Sequence, residues 1–261
     1  MTAPRDPWSA FSRHTPARIA LGRTGASLPT AEVLKFAFAH AKARDAVHTP
    51  FDAAATGARV REVGFETLDV TSAAAARDIY LRRPDLGRRL SAESRAMLAA
   101  RPAAGPLDLA LVVADGLSSA AVHAQAVPFL AALKPWLEQE GWRTAPVVIA
   151  REARVALGDE VGALLNTRAV LVMIGERPGL SSPDSLGLYL TFNPQVGCSD
   201  AQRNCISNVR ADGLSHAAAA FKLAWLLKEA FRRNLTGVDL KDESDDFLVD
   251  GRPPLRLPGS L

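Results

Sequence analysis

Two cysteines, Cys198 and Cys205, are all that a chain of 261 residues contains. So few exclude a disulfide framework and fit a reducing compartment. Long apolar runs are missing as well. No stretch approaches the ~20 residues needed to span a bilayer. The opening residues, MTAPRDPWSAFSRH, hold no apolar segment of the kind found in a secretory signal. Charge of one sign is not in large excess. The net charge is +3, and basic residues alternate with acidic ones. The basic clusters are only the pairs Arg82-Arg83, Arg88-Arg89 and Arg232-Arg233. With no zinc-finger spacing and no aromatic RNA-binding motif, nucleic acid is not an expected partner. No membrane association is expected either.

The usual catalytic signatures are also absent. There is no G-x-G-x-x-G and no G-x-x-x-x-G-K-[ST], which disfavours ordinary dinucleotide or nucleoside-triphosphate chemistry. There is no G-x-S-x-G elbow. Neither H-E-x-x-H nor C-x-x-C occurs, so no protein-bound metal is expected. The 5 histidines are scattered, and none shares an expected strand end with a serine or cysteine. His40 and His48 read as surface groups. No residue is assigned a catalytic role.

What is present suits a folded α/β chain. Hydrophobic residues make up 48% and charged residues 23%, both ordinary for a globular domain. At this size roughly 75% of the unfolded surface can be buried. The central stretch is Ala169–Ile174, an unbroken apolar run that ends at Gly175. Such a run reads as a strand buried on both faces, as in a parallel sheet. Glu176, Arg177, Pro178 and Gly179 follow it. Ligands of open α/β sheets sit outside the carboxyl ends of the strands, so Glu176 stands where a ligand would be read. The plainer reading is a solvated turn with a Glu–Arg pair.

Around this strand the chain falls into order. Residues 1–15 form a polar arm with Trp8 and Phe11, and 16–29 have loop chemistry. A helix is expected from Thr30 to about Val47, with Thr30 as its cap. Val60–Leu68 reads as a short strand broken at Gly64, and 71–80 as an alanine-rich helix. Pro84 ends any helix at Arg83. The arginines from Arg82 to Arg89 form either a solvated helix–turn–helix or a docking or anion surface. Arg101–Pro106 is the best internal linker. Beyond it come a strand 107–114, a helix 120–140 with Pro128 and Pro135, and a strand 146–150. A short helix capped by Asp159, strands at 169–174, 188–192 and 205–209, and a helix 216–233 follow. Alternating strands and helices mean βα units. The expected fold is therefore α/β: a mostly parallel sheet flanked by helices in a Rossmann-like, three-layer arrangement, with an N-terminal helical region. The expected division is residues 1–105 as arm and helical region, 106–241 as the α/β domain and 242–261 as a disordered tail. Ala114-Asp115-Gly116-Leu117-Ser118 recurs as Ala211-Asp212-Gly213-Leu214-Ser215. Each copy reads as a turn feeding a helix N-terminus.

Five ordered stretches carry a resemblance: Ala17–Gly25, Tyr80–Leu90, Ala114–Ser118, Val172–Leu180 and Cys205–Asn208. Together they resemble the small (light) subunit of ethanolamine ammonia-lyase, over about residues 16–237. The loop after Gly25 departs from the family's usual Pro-Arg. The resemblance implies an adenosylcobalamin-dependent lyase that converts ethanolamine to acetaldehyde and ammonia by radical chemistry, in ethanolamine catabolism. It implies a large partner subunit that carries the substrate site, with cobalamin held between the two in a hetero-oligomer. It also implies a cytoplasmic location, free or within a bacterial microcompartment. Three cofactor contacts carry over by motif: Val155, Glu176 and Cys205. A corrin has a broad apolar body and a rim of amides, so it wants apolar contact and a few placed polar groups. Val155 would pack, Glu176 would accept hydrogen bonds, and Cys205 would allow close approach without a thiol–cobalt bond. Asp-x-His-x-x-Gly, which other cobalamin proteins use to put histidine under cobalt, is absent. The alternatives are an independent α/β small-ligand enzyme using Asp115, Glu176 and Asp212, or a non-catalytic assembly adaptor using the N-terminal arm.

Overall fold

The computed structural model describes residues 7–15, 17–101, 105 and 107–259. Most of the expected linker Arg101–Pro106 lies outside the described residues.

The core is a sheet of six strands in the order β1-β3-β2-β4-β5-β6. They are β1 (Thr67–Thr71), β2 (Leu107–Ala114), β3 (Val147–Arg151), β4 (Thr167–Gly175), β5 (Leu186–Phe192) and β6 (Arg203–Val209). The first four in this spatial order are parallel, β5 is antiparallel to β4, and β6 is antiparallel to β5. The sheet is thus mostly parallel with an antiparallel end. The apolar runs of β2 and β4 feed both faces by their two-residue period. Leu109, Leu111, Val113, Leu171 and Met173 enter one core, while Ala110, Val112, Val170, Val172 and Ile174 enter the other.

Helices cover the first face: α2 (Ala53–Glu62), α5 (Ser119–Gln139) and α7 (His216–Arg233). The second face receives α4 (Ala92–Ala99) and α6 (Leu157–Leu164), with α3 (Arg77–Arg82) nearby. α6 packs on β4 and β2, close enough that Gly158 has no room for a Cβ beside Val172. The carboxyl ends of β2 and β4 meet through backbone. Leu117 N–H donates to Gly175 O at 2.9 Å. Gly116 (φ 60°) and Gly175 are both required there, since a Cβ on either would strike the other loop's backbone.

The N-terminal half differs from expectation. Residues 53–62 are helical, because Asp52 accepts from Ala55 N–H at 2.8 Å and starts α2. The strand begins only at Thr67 and pairs with β3, so the sheet draws on residues before the expected boundary at 105/106. The alanines 73–76 are not helical: Ala73 N–H donates to Arg89 O, and the helix starts at Arg77. α1 (Thr30–His48) forms where expected, but its cap position is Pro29, and Ala46 is its only residue described as buried. The tail expected to be disordered packs over its described part. Lys222 on α7 reaches Asp242, Ser244 and Asp245, while Ser244 and Leu257 are buried.

Candidate functional site

On the second face of the sheet, α6 packs mainly on β4 and β2 and reaches the antiparallel end at the start of β6, where Asp159 holds Arg203. Residues that point that way from β5 and β6 follow the two-residue period: Gly187 and Tyr189, then Cys205 and Ser207. Tyr189 is half-buried and packs on the second core, while Cys205 and Ser207 are exposed. β6 carries a bulge opposite Leu186–Leu188, and Asn208 takes a left-handed φ of 60° there. The bulge re-aims the strand end toward the loop after β4.

Glu176 is what it aims at. Its carboxylate accepts from Ser207 Oγ at 2.5 Å, from Asn208 N–H at 3.3 Å and from Ser185 Oγ. Its own N–H donates to Ser185 O at 3.0 Å. A carboxylate offers about four lone-pair directions, so one remains for a further donor. Arg177, expected as its turn partner, is exposed and does not pair with it among the described residues. Gly187 keeps the floor flat. A Cβ there would stand 3.0 Å from both Glu176 Oε1 and Tyr189 Cε2.

Tyr189 and Cys205 are direct partners across the β5–β6 pair, so the phenol and the thiol share one face of the sheet. Desolvation raises the Cys205 pKa, the Tyr189 hydroxyl opposes this, and the charge of Glu176 adds to it. Cys205 is therefore a neutral thiol at neutral pH, although its surface is exposed. The Tyr189 phenol is raised by burial, and further by Cys205 and Glu176.

Val155 lies in the loop after β3, half-buried against the same second core as Tyr189. The structure thus brings Glu176 and Cys205 to one patch and sets Val155 on the same side of the sheet. Asp115 and Asp212 do not join them. Asp115 is buried and bonded to the β3 loop, while the Asp212 side chain is 90% exposed. A cleft of about 570 Å³ lies over Thr71–Ala76 at the β1 end and shares none of the three positions.

Sequence reading missed Ser185, Gly187 and Tyr189 as parts of this patch. The signal was the shared parity of Gly187, Tyr189, Cys205 and Ser207. It becomes useful only once β5 and β6 are known to pair.

The ethanolamine ammonia-lyase light chain family matches residues 5–241. The chain belongs to this family. The light-chain match contains every element that builds the patch. Among curated light-chain relatives, an ethanolamine ammonia-lyase small subunit from Pseudomonas syringae pv. tomato is 59% identical over 244 residues, covering 93% of this chain and 85% of that protein. One from Xanthomonas campestris pv. campestris is 58% identical over 250 residues, covering 95% and 92%. One from Azotobacter vinelandii is 57% identical over 251 residues, covering 95% and 93%. Among the described residues no helix is long and apolar enough to cross a membrane, and no group of histidine, cysteine and carboxylate side chains could hold a metal ion.

Proposed function

We propose that this chain is the small subunit of an adenosylcobalamin-dependent ethanolamine ammonia-lyase, and that its bare β5–β6 face closes over the corrin presented by a larger subunit. The observation that carries the reading is the joint placement of Glu176 and Cys205 on one open, flat patch, with Val155 on the same side. The residues fit the group. Gly187 leaves room for a broad planar body, since a side chain there would press on Glu176 and Tyr189. Tyr189 and Val155 give apolar contact, and Glu176 keeps one acceptor direction for an amide of the rim.

Bound cobalamin would supply homolysis of its cobalt–carbon bond, which starts hydrogen abstraction from ethanolamine. This chain's own part is to bind, orient and exclude water. Ser185 and Ser207 fix the Glu176 carboxylate, so little rotamer freedom is lost on binding. Cys205, held as a thiol by its raised pKa, offers a neutral surface to the corrin edge. In this reading the two serine hydroxyls on Glu176 hold the carboxylate in place, and the reaction itself belongs to the larger partner. The apolar side chains left outside this chain's core support a hetero-oligomer: Trp8, Phe11, Val33, Leu34, Phe36 and Phe38 are all exposed. On this reading the complex works in the cytoplasm, free or inside a microcompartment, and no helix among the described residues is long and apolar enough to cross a membrane.

In the reconstituted complex, Glu176→Ala weakens cobalamin about tenfold, the worth of one charged hydrogen bond. Spectroscopic titration reads the affinity. Unchanged affinity removes Glu176 from the cofactor site. No gain in acetaldehyde when this chain is added to its large subunit defeats the whole reading.

A further inference from the structure

The arginines of the Tyr80–Leu90 stretch have no part in the patch described above. Arg88 and Arg89 are exposed, and among the described residues neither guanidinium has a hydrogen bond or ion pair. Their backbone is pinned on both sides. Arg154 N–H donates to Gly87 O at 2.8 Å, and Leu90 N–H donates to Glu160 Oε2 on α6 at 2.8 Å. Arg95 pairs with the same Glu160, so that carboxylate is already neutralised. Gly87 is required for this approach, since a Cβ would stand 2.9 Å from Arg154 Cγ and 3.0 Å from Tyr80 Cδ2. Two unpaired cations are thus presented on a fixed backbone.

Both line a cleft of about 450 Å³, together with Ala156, Gly197, Cys198 and Asp200. Ala156 directly follows Val155. On the other wall, Arg203 Nη2 donates to Cys198 O at 2.8 Å. Cys205 is two residues further along β6 from Arg203, about 7 Å on. The cleft therefore opens beside two of the three positions assigned to the corrin. Asp200 is the one carboxylate in its lining, and its Oδ1 lies 3.4 Å from Arg203 Nε.

We propose that this cleft receives the phosphodiester of cobalamin's nucleotide tail, with Arg88 and Arg89 as its donors. The proposal rests on the cobalamin reading above. The rim of a corrin is neutral amide, whereas its tail carries a fixed anion. A guanidinium presents a planar fork of N–H donors that matches phosphate oxygens. The tail hangs from the corrin edge, so an anion site beside the patch is where it would be read.

The test uses the small–large complex and two probes. Cyanocobalamin carries the whole tail; cobinamide keeps the corrin and lacks phosphate, ribose and base. The double variant Arg88→Ala/Arg89→Ala is expected to bind cyanocobalamin ten- to a hundredfold more weakly and cobinamide as the unaltered complex does. Arg88→Lys/Arg89→Lys is expected to recover part of the loss. Equal loss for both probes overturns the proposal, because the arginines would then serve the corrin or the fold. Unchanged cyanocobalamin affinity overturns it too. So does failure of the variant to join the large subunit, which would make these arginines a protein-docking surface. Glu176→Ala is measured alongside. If it weakens both probes while the arginine variant changes neither, the tail site falls and the corrin reading stands. If neither variant weakens cyanocobalamin, both fall.

Discussion

Asp115 stands at the carboxyl end of β2 and is 1% exposed. The N–H groups of Gly116, Glu152 and Ala153 each donate to it at 2.9 Å, and Arg77 Nη1 lies 3.5 Å away. Burial raises its pKa from the ordinary 3.8 to about 6; the Ala153 N–H and Arg77 oppose the rise, and Glu152 adds to it. A carboxyl raised in this way binds its proton more tightly in the folded state. Its contribution to stability is full at low pH and is lost as pH climbs from about 4 to about 6. Asp115→Asn removes that dependence. The melting-temperature gap between wild type and variant should be widest near pH 4 and should narrow toward pH 6; a constant gap would contradict the shift. Asp159 shows how a local signal can mislead. Its spacing suits a helix cap, yet it lies inside α6, where both its oxygens bond Arg203 at 2.5 and 2.7 Å. Both side chains of that pair are almost fully buried. Only tertiary packing brings β6 to α6, so the pair was invisible in one dimension.

The paired Asp-Gly-Leu-Ser turns behave alike where their chemistry is local. Ser118 Oγ accepts from Ala121 N–H at 3.1 Å and starts α5, and Ser215 Oγ accepts from Ala218 N–H at 3.3 Å and starts α7. Each serine-to-alanine change is expected to cost about 1 kcal/mol in denaturant unfolding. The Ser118 change should cost more, because its hydroxyl also donates to Pro183 O at 2.8 Å. Helices and strands with strong periodicity were legible: β2 spans 107–114 and α7 spans 216–233, as the apolar spacing predicts. The stretch from 50 to 80 was not. Its alanines favour a helix locally, but backbone bonding to Arg89 holds them irregular instead.

For the molecule as a whole, the last twenty residues test how much of the fold is tertiary. Their acidic, proline-rich composition reads as disorder, yet the Trp225 and Phe247 rings meet at a tilt with centroids 6.4 Å apart, and Gln139 donates to Leu255 O at 3.2 Å. Ending the chain at 241 strips Lys222 of its carboxylates and uncovers part of α7. The expected loss is about 2–4 kcal/mol of unfolding free energy, on the scale of one or two exposed large side chains. A loss below about 0.5 kcal/mol would show that the segment does not contribute. β1 makes the same point from the other end, since it lies before the expected domain boundary and still forms the sheet's edge.

The amino-acid sequence by itself determined the α/β class, the buried strands β2, β3 and β4, the starts of α5 and α7, and the family. Each of these depends on periodicity, capping or an ordered set of motifs that are local in the chain. The patch was decided in three dimensions. Glu176 meets Ser207 only because β5 and β6 pair antiparallel and a bulge turns the end of β6 toward the loop after β4. Arg88 and Ala156 line one cleft because the Arg154 N–H reaches back to Gly87 O. Contacts between distant segments depend on register and packing, which no single stretch of sequence encodes.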